Sequence, residues 1–213
     1  MYHLFLFFCA LLTGCSSEAP QPDDNQVDMI NGRGHSKIAI YQITVPRAWV
    51  RRDPLPGDPI EDTTQALCEF IINDPEGIIR IAVHNFPTDV AETRIPPAAQ
   101  VARWKQQLGS YKPGERVEGP IAFGGYGGLQ FFGTGKKDEQ EFRVIAMALQ
   151  LGNDHFKNLS VPETSTKTLR YRQMRGDVTL KAQGPLSAME KQREAILKAF
   201  LSFGLIDEIP SRR

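Results

Sequence analysis

Over residues 38–45 every second position, Ala39, Tyr41, Ile43 and Val45, is apolar, and Pro46 ends the run. Such a two-residue period makes a half-buried strand, since alternate side chains leave a strand on opposite faces. Two further apolar segments, 65–72 and 78–84, flank Asn73-Asp74-Pro75-Glu76-Gly77, whose Pro and Gly suit a hairpin connection. Segments 129–132 and 142–149 read as another pair separated by 133–139, and 169–174 and 178–182 as shorter strands. Hairpin spacing permits antiparallel neighbours, whereas parallel strands need a longer crossover between them.

Two segments change to helical spacing. Residues 96–108 place Val101, Trp104 and Leu108 on one face, with prolines at the start and Gly109 as a stop. Residues 187–203 carry Met189, Ile196, Phe200 and Phe203 on one face, with Ser187 and Glu190 spaced as a capping box and Gly204 closing the helix. Strands, helix, strands, helix is the order of an α+β sandwich: an antiparallel β-sheet flanked by helices.

The chain has 213 residues, with 25 Lys+Arg balancing 25 Asp+Glu, and no internal repeat. Zero net charge lacks the basic footprint of a nucleic-acid binder, and the chain length allows one domain of ordinary size. Residues 37–213 are expected to form that single globular domain. Residues 16–36, rich in polar residues, Pro and Gly, read as a flexible tether with a mean reach of about 25 Å.

Residues 4–12 form an uncharged apolar run, too short for a bilayer span of roughly 20 residues but suited to a signal peptide. It ends in Leu12-Thr13-Gly14-Cys15, which resembles the lipobox of bacterial lipoproteins. The resemblance implies a signal peptide over 1–14, cut before Cys15, and acylation of Cys15, palmitate among the expected chains. Each buried methylene then adds about 0.8 kcal/mol of membrane affinity. Met1-Tyr2-His3 departs from the pattern by carrying no Lys or Arg. Ser16 replaces the Asp that resembles an inner-membrane retention signal, which favours the outer membrane, with the body in the periplasm or at the cell surface.

Within the body, a strand running into Val45-Pro46-Arg47-Ala48-Trp49, a later strand pair and a C-terminal helix ending in Phe200-Leu201-Ser202-Phe203 are similar to the PsbP-like fold. That fold is shared by extrinsic photosystem proteins, Ran-binding Mog-type proteins and many bacterial lipoproteins. The resemblance implies binding or assembly factors in preference to enzymes, and it carries over no site residues.

Residues able to carry chemistry are few. Cys9 belongs to the apolar run and Cys15 is the lipidation residue, so Cys68 is the one thiol left in the body, on an apolar strand face as a core residue. Phe123-Gly124-Gly125-Tyr126-Gly127-Gly128 lacks the Gly-x-x-x-x-Gly-Lys-Ser/Thr of a phosphate loop. Its glycines bend a strand, form a bulge, or open a loop that displays Tyr126. His35, His84 and His155 lie far apart, so no metal site and no cofactor is expected; Asp154-His155 is the one adjacent pair. Carboxylate pairs at Asp23-Asp24 and Glu61-Asp62 read as solvated surface, Arg175-Gly176-Asp177 as a turn, and Asn158-Leu159-Ser160 is a glycosylation match without meaning at a bacterial address. Arginines gather at Arg47, Arg51 and Arg52 and at Arg170, Arg172 and Arg175, the latter able to face anionic lipid or an acidic partner.

The expected function is therefore a membrane-anchored, non-catalytic envelope domain that binds a protein partner or another envelope component, with no catalytic residue. The alternative is a small-ligand binder or hydrolase using a pocket near Gly124–Gly128.

Overall fold

In the computed structural model, the described residues are 24–33, 37–55, 62–88, 91–108, 117–137, 140–152 and 175–206. The alternating segment becomes β2 (Ala39–Pro46), with Tyr41, Ile43 and Val45 buried, Gln42 exposed and Thr44 half-buried. Its outer neighbour is β1 (Asn25–Asn31), antiparallel, with Asn25 opposite Pro46. This corrects the tether expected over 16–36 at Asn25–Asn31; residues 16–23 and 34–36 lie outside the described residues. Ile30 is fully buried while Val27 and Met29 remain exposed, so β1 is held by backbone pairing and one anchor side chain. A composition with so little to bury hides a strand of that kind.

The remaining strands form one sheet. After β3 (Val50–Arg52) come β4 (Cys68–Asp74) and β5 (Gly77–Phe86), joined by the predicted tight turn, with Asp74 opposite Gly77. Helix α1 (Pro97–Gln107) is followed by β6 (Val117–Phe123), β7 (Tyr126–Lys137), β8 (Gln140–Leu151) and β9 (Asp177–Pro185). The order across the seven strands is β3-β4-β5-β9-β8-β7-β6, and every pairing is antiparallel. Helix α2 (Leu186–Leu201) and a short β10 (Gly204–Leu205) close the described chain, β10 adding to β2 to complete a three-stranded sheet. The fold class is α+β, with antiparallel sheets and, among the described residues, two α-helices, as the sequence indicates.

Sheet parity divides the molecule into layers. On the inner face Phe70, Ile81, Leu180, Ile145 and Met147 meet Met189, Ile196 and Phe200 of α2 and Ile30, Ile43 and Val45 of the small sheet. On the outer face Phe131, Val144, Ala146 and Ala148 lie under Val101, Trp104 and Leu108 of the α1 region. Each large apolar side chain buried this way contributes roughly 1.5–3 kcal/mol. α1 rests on β7 and β8, so the outer face of β9, β5 and β4 extends beyond it.

Local expectations change at four places. β7 runs on to Lys137, into what was expected to be a loop at 133–139: Gly133 and Gly135 lie against Leu108, and a Cβ on Gly135 would meet its carbonyl oxygen at 2.6 Å. β6 was not foreseen, because Pro and Gly interrupt its pattern. The capping box at Ser187 and Glu190 does not form. Pro185 leads β9 straight into α2, which leaves Ser187 inside the first turn, and Glu190 pairs with Arg143 instead. Gly204 does not stop the helix either: Ser202 is its last cap, and its Oγ accepts the Thr44 N–H at 2.8 Å, which ties α2 to β2.

Candidate functional site

Beside α1 the outer face holds a groove of about 810 Å³, within the range of small-molecule sites. Its floor comes from β5, β9 and β8. Arg80 stands opposite Gln183 and Ala82 opposite Lys181, so Arg80, Gln183 and Lys181 share one patch, with Phe142 and Val144 beside them. Ile78, 62% exposed, forms one apolar edge with Pro185, and Gln107 and Leu108 form the opposite wall.

The patch is cationic. Lys181 Nζ donates to Gln107 Oε1 at 2.9 Å, and Arg103, one helical turn before Gln107, is exposed on the same side of α1. Burial lowers the Lys181 pKa, and the charge of Arg103 lowers it further. The same two cations, with Arg33, add to the burial that lowers His84 on the neighbouring strand. Of the carboxylates on this face, Glu69 lies 3.6 Å from Arg80, and Asp177 is sealed in a pair with Arg94. The groove is lined by amides, cations and aliphatic or aromatic carbon, groups that hold and orient a ligand.

The residues singled out in the sequence lie elsewhere. Gly124 and Gly125, at φ of 56° and 83°, are the two-residue turn between β6 and β7, a left-handed pair that matches strand twist. Tyr126 is not displayed: it is 3% exposed, its hydroxyl donates to the Gly176 carbonyl at 3.3 Å, and its ring lies against Phe203. Gly124–Gly128 is thus part of a β-hairpin with Tyr126 turned into the core, and the groove beside α1 is formed by other strands. Cys68 is buried and burial pushes its thiol up to about 12, so it is a core residue.

Arg175, Gly176 and Asp177 are buried as well. The Gly176 N–H donates to the Tyr41 hydroxyl at 2.9 Å, and Arg175 Nη2 to the Ile206 carbonyl at 2.6 Å. Arg47 pairs with Asp24, and Arg51 with Asp53 while also reaching the Met29 carbonyl. Cys15, Asp23, His35, Glu61, Asp154, His155, Asn158, Arg170 and Arg172 lie outside the described residues. Among the described residues no three His, Cys, Asp or Glu gather as a metal site would need, and no helix is long and apolar enough to cross a membrane.

The cationic patch escaped sequence reading because Arg80 and Lys181 of the groove, and Arg103 beside it, come from three separate elements. The alternation of Arg80 with Ile79 and Ile81, and of Lys181 with Leu180 and Ala182, was the only trace of them.

No family model matches the sequence, and no curated protein matches it. Solved structures do. LpqN of Mycobacterium tuberculosis, described as involved in cell envelope biogenesis, is 14% identical, covering 86% of this chain and 92% of its own, with a TM-score of 0.47. The cyanobacterial PsbP of Synechocystis sp. PCC 6803 is 12% identical over 92% of this chain and 99% of its own, TM-score 0.37. A Pseudomonas aeruginosa protein of unknown function is 10% identical over 83% and 99%, TM-score 0.40.

Proposed function

We propose that the chain is a bacterial envelope lipoprotein, anchored through acylated Cys15, whose domain is a non-catalytic binding module. Leu12-Thr13-Gly14-Cys15 after an uncharged apolar run supports the anchor. One observation carries the binding reading: the groove beside α1 is open, of ligand size, and lined by side chains that bind without reacting. The small-ligand reading accordingly moves from the Gly124–Gly128 hairpin to this groove, and its hydrolase form is set aside in favour of binding. The ligand is an envelope component or an envelope protein, held near the membrane by a tether that ends where β1 begins. The outer membrane is the favoured location.

Two measurements test the two halves. Cys15→Ser should abolish labelling by radioactive fatty acid and leave the precursor uncleaved; persistent labelling sinks the anchor. A photo-crosslinking residue in place of Ile78 in the full-length protein, activated in intact cells, should capture one dominant envelope component. Equal, weak capture from Ile78 and from exposed Leu201 on α2 would sink the groove as the binding surface.

A further inference from the structure

Resting on the groove as the binding surface, we infer that it takes an anionic amphiphile: a carboxylate or phosphate head beside Lys181 and Arg103, and an aliphatic body along Ile78, Phe142 and Pro185.

Lys181 is a half-buried residue whose ammonium reaches Gln107 at the exposed side of the groove, where an opposite charge would favour its charged form. Its hydrogen-bond partner is the neutral amide of Gln107, and among the described residues no carboxylate forms an ion pair with Lys181 or with Arg103. α1 carries no acidic residue at all. Two cations are thus gathered on one side of a chain whose overall charge is zero, and a bound anion would relieve their mutual repulsion.

The second half of the ligand follows from the other end of the groove. Ile78 is left 62% exposed, with the half-buried carbon of Pro185 and Phe142 continuing the same surface. The floor is the face of a sheet whose backbone groups are already paired across β5, β9 and β8, so it offers no strand edge to an added peptide. A peptide would bring amides that the apolar end cannot satisfy, while an aliphatic chain brings none. The two ends together fit a head and a chain.

The test uses mature-length protein from residue 15 with Cys15→Ser, shown to melt cooperatively, titrated calorimetrically with monomeric decyl phosphate, inorganic phosphate and decyl maltoside. Decyl phosphate should bind, at least tenfold more tightly than either comparator. Lys181→Met and Arg103→Met should each weaken it about tenfold, and Ile78→Ser should weaken decyl phosphate while leaving inorganic phosphate unchanged. Co-flotation with phosphatidylglycerol vesicles, lost in Lys181→Met, would place the head in a bilayer; calorimetric binding without flotation would make the ligand a free amphiphile. Absent binding in a folded protein, equal binding of decyl maltoside, or insensitivity to both cation variants overturns the inference. So does displacement of decyl phosphate by lower concentrations of an acidic peptide. If crosslinking from Ile78 still captures a component in that case, the binding module stands and only the chemistry of its ligand fails.

Discussion

Arg94 and Asp177, 83 positions apart, meet in a two-pronged ion pair: Nε donates to Oδ2 at 3.0 Å and Nη2 to Oδ1 at 2.5 Å. Their side chains are 8% and 6% exposed. Arg94 Nη2 also donates to the Leu151 carbonyl, and Asp177 Oδ1 accepts the Leu151 N–H at 2.9 Å. The pair therefore pins the segment before α1, the end of β8 and the start of β9 to one point.

Removing one member leaves a buried charge without compensation, a loss of about 3–5 kcal/mol. Asp177→Ala and Arg94→Met should each fall in that range by urea unfolding, and the double variant should lose less than their sum. Strict additivity would show that the two side chains act separately.

Two neighbouring glycines should respond differently to the same methyl group. A Cβ on Gly127 meets nothing within 4 Å, whereas one on Gly128 would stand 1.9 Å from the Ala148 carbonyl oxygen. Gly128→Ala should therefore cost about 2 kcal/mol or more, since backbone must shift, and Gly127→Ala well under that. Comparable denaturation midpoints for the two variants would contradict the β7–β8 register.

The Cys68 thiol, pushed up to about 12 by burial, carries almost no thiolate at pH 8. Its reaction with an aromatic disulfide reagent should be at least about a hundredfold slower in the native protein than in 8 M urea. Comparable rates would remove Cys68 from the core.

His84 gives a pH dependence of definite sign. Burial first, then the charges of Arg33, Arg103 and Lys181, lower its pKa, against a hydrogen bond that the imidazole donates to the Thr63 backbone, which raises it. The unfolded imidazole takes up a proton near pH 6.5, the folded one only at lower pH. Stability supplied by neutral His84 is thus present above about pH 6.5 and is lost as pH falls through the folded value. Urea midpoints between pH 7 and 5 should decline less in His84→Gln than in the wild type. The lowered carboxylates of Asp62, Asp74 and Glu194 act at more acid pH and leave this window clear.

How far the sequence reveals this protein depends on whether a feature is written locally. β2, β4, β5 and both helices were legible because their burial repeats every two or three to four residues, and Trp104 and Phe200 land in the core as their spacing requires. β1 and β6 were not, because an edge strand needs few apolar side chains when its neighbour supplies the hydrogen bonds. The failed capping box shows the same limit: Ser187 and Glu190 have the right spacing, but Pro185 fixes the start of the helix first. The groove is less legible still, since Arg103, Arg80 and Lys181 become neighbours only once β5 pairs with β9 and α1 lies across β8.

The three-stranded sheet has a temporal consequence. β2 is among the earliest elements of the described chain and β10 the last, yet they share hydrogen bonds, and Ser202 reaches Thr44 across 158 positions. A chain that emerges from its N-terminus must hold the largely apolar underside of β2, with Tyr41, Ile43 and Val45, without its final partners until the last strand appears. Such late closure slows folding and lengthens the interval in which that surface is open to aggregation or to a chaperone.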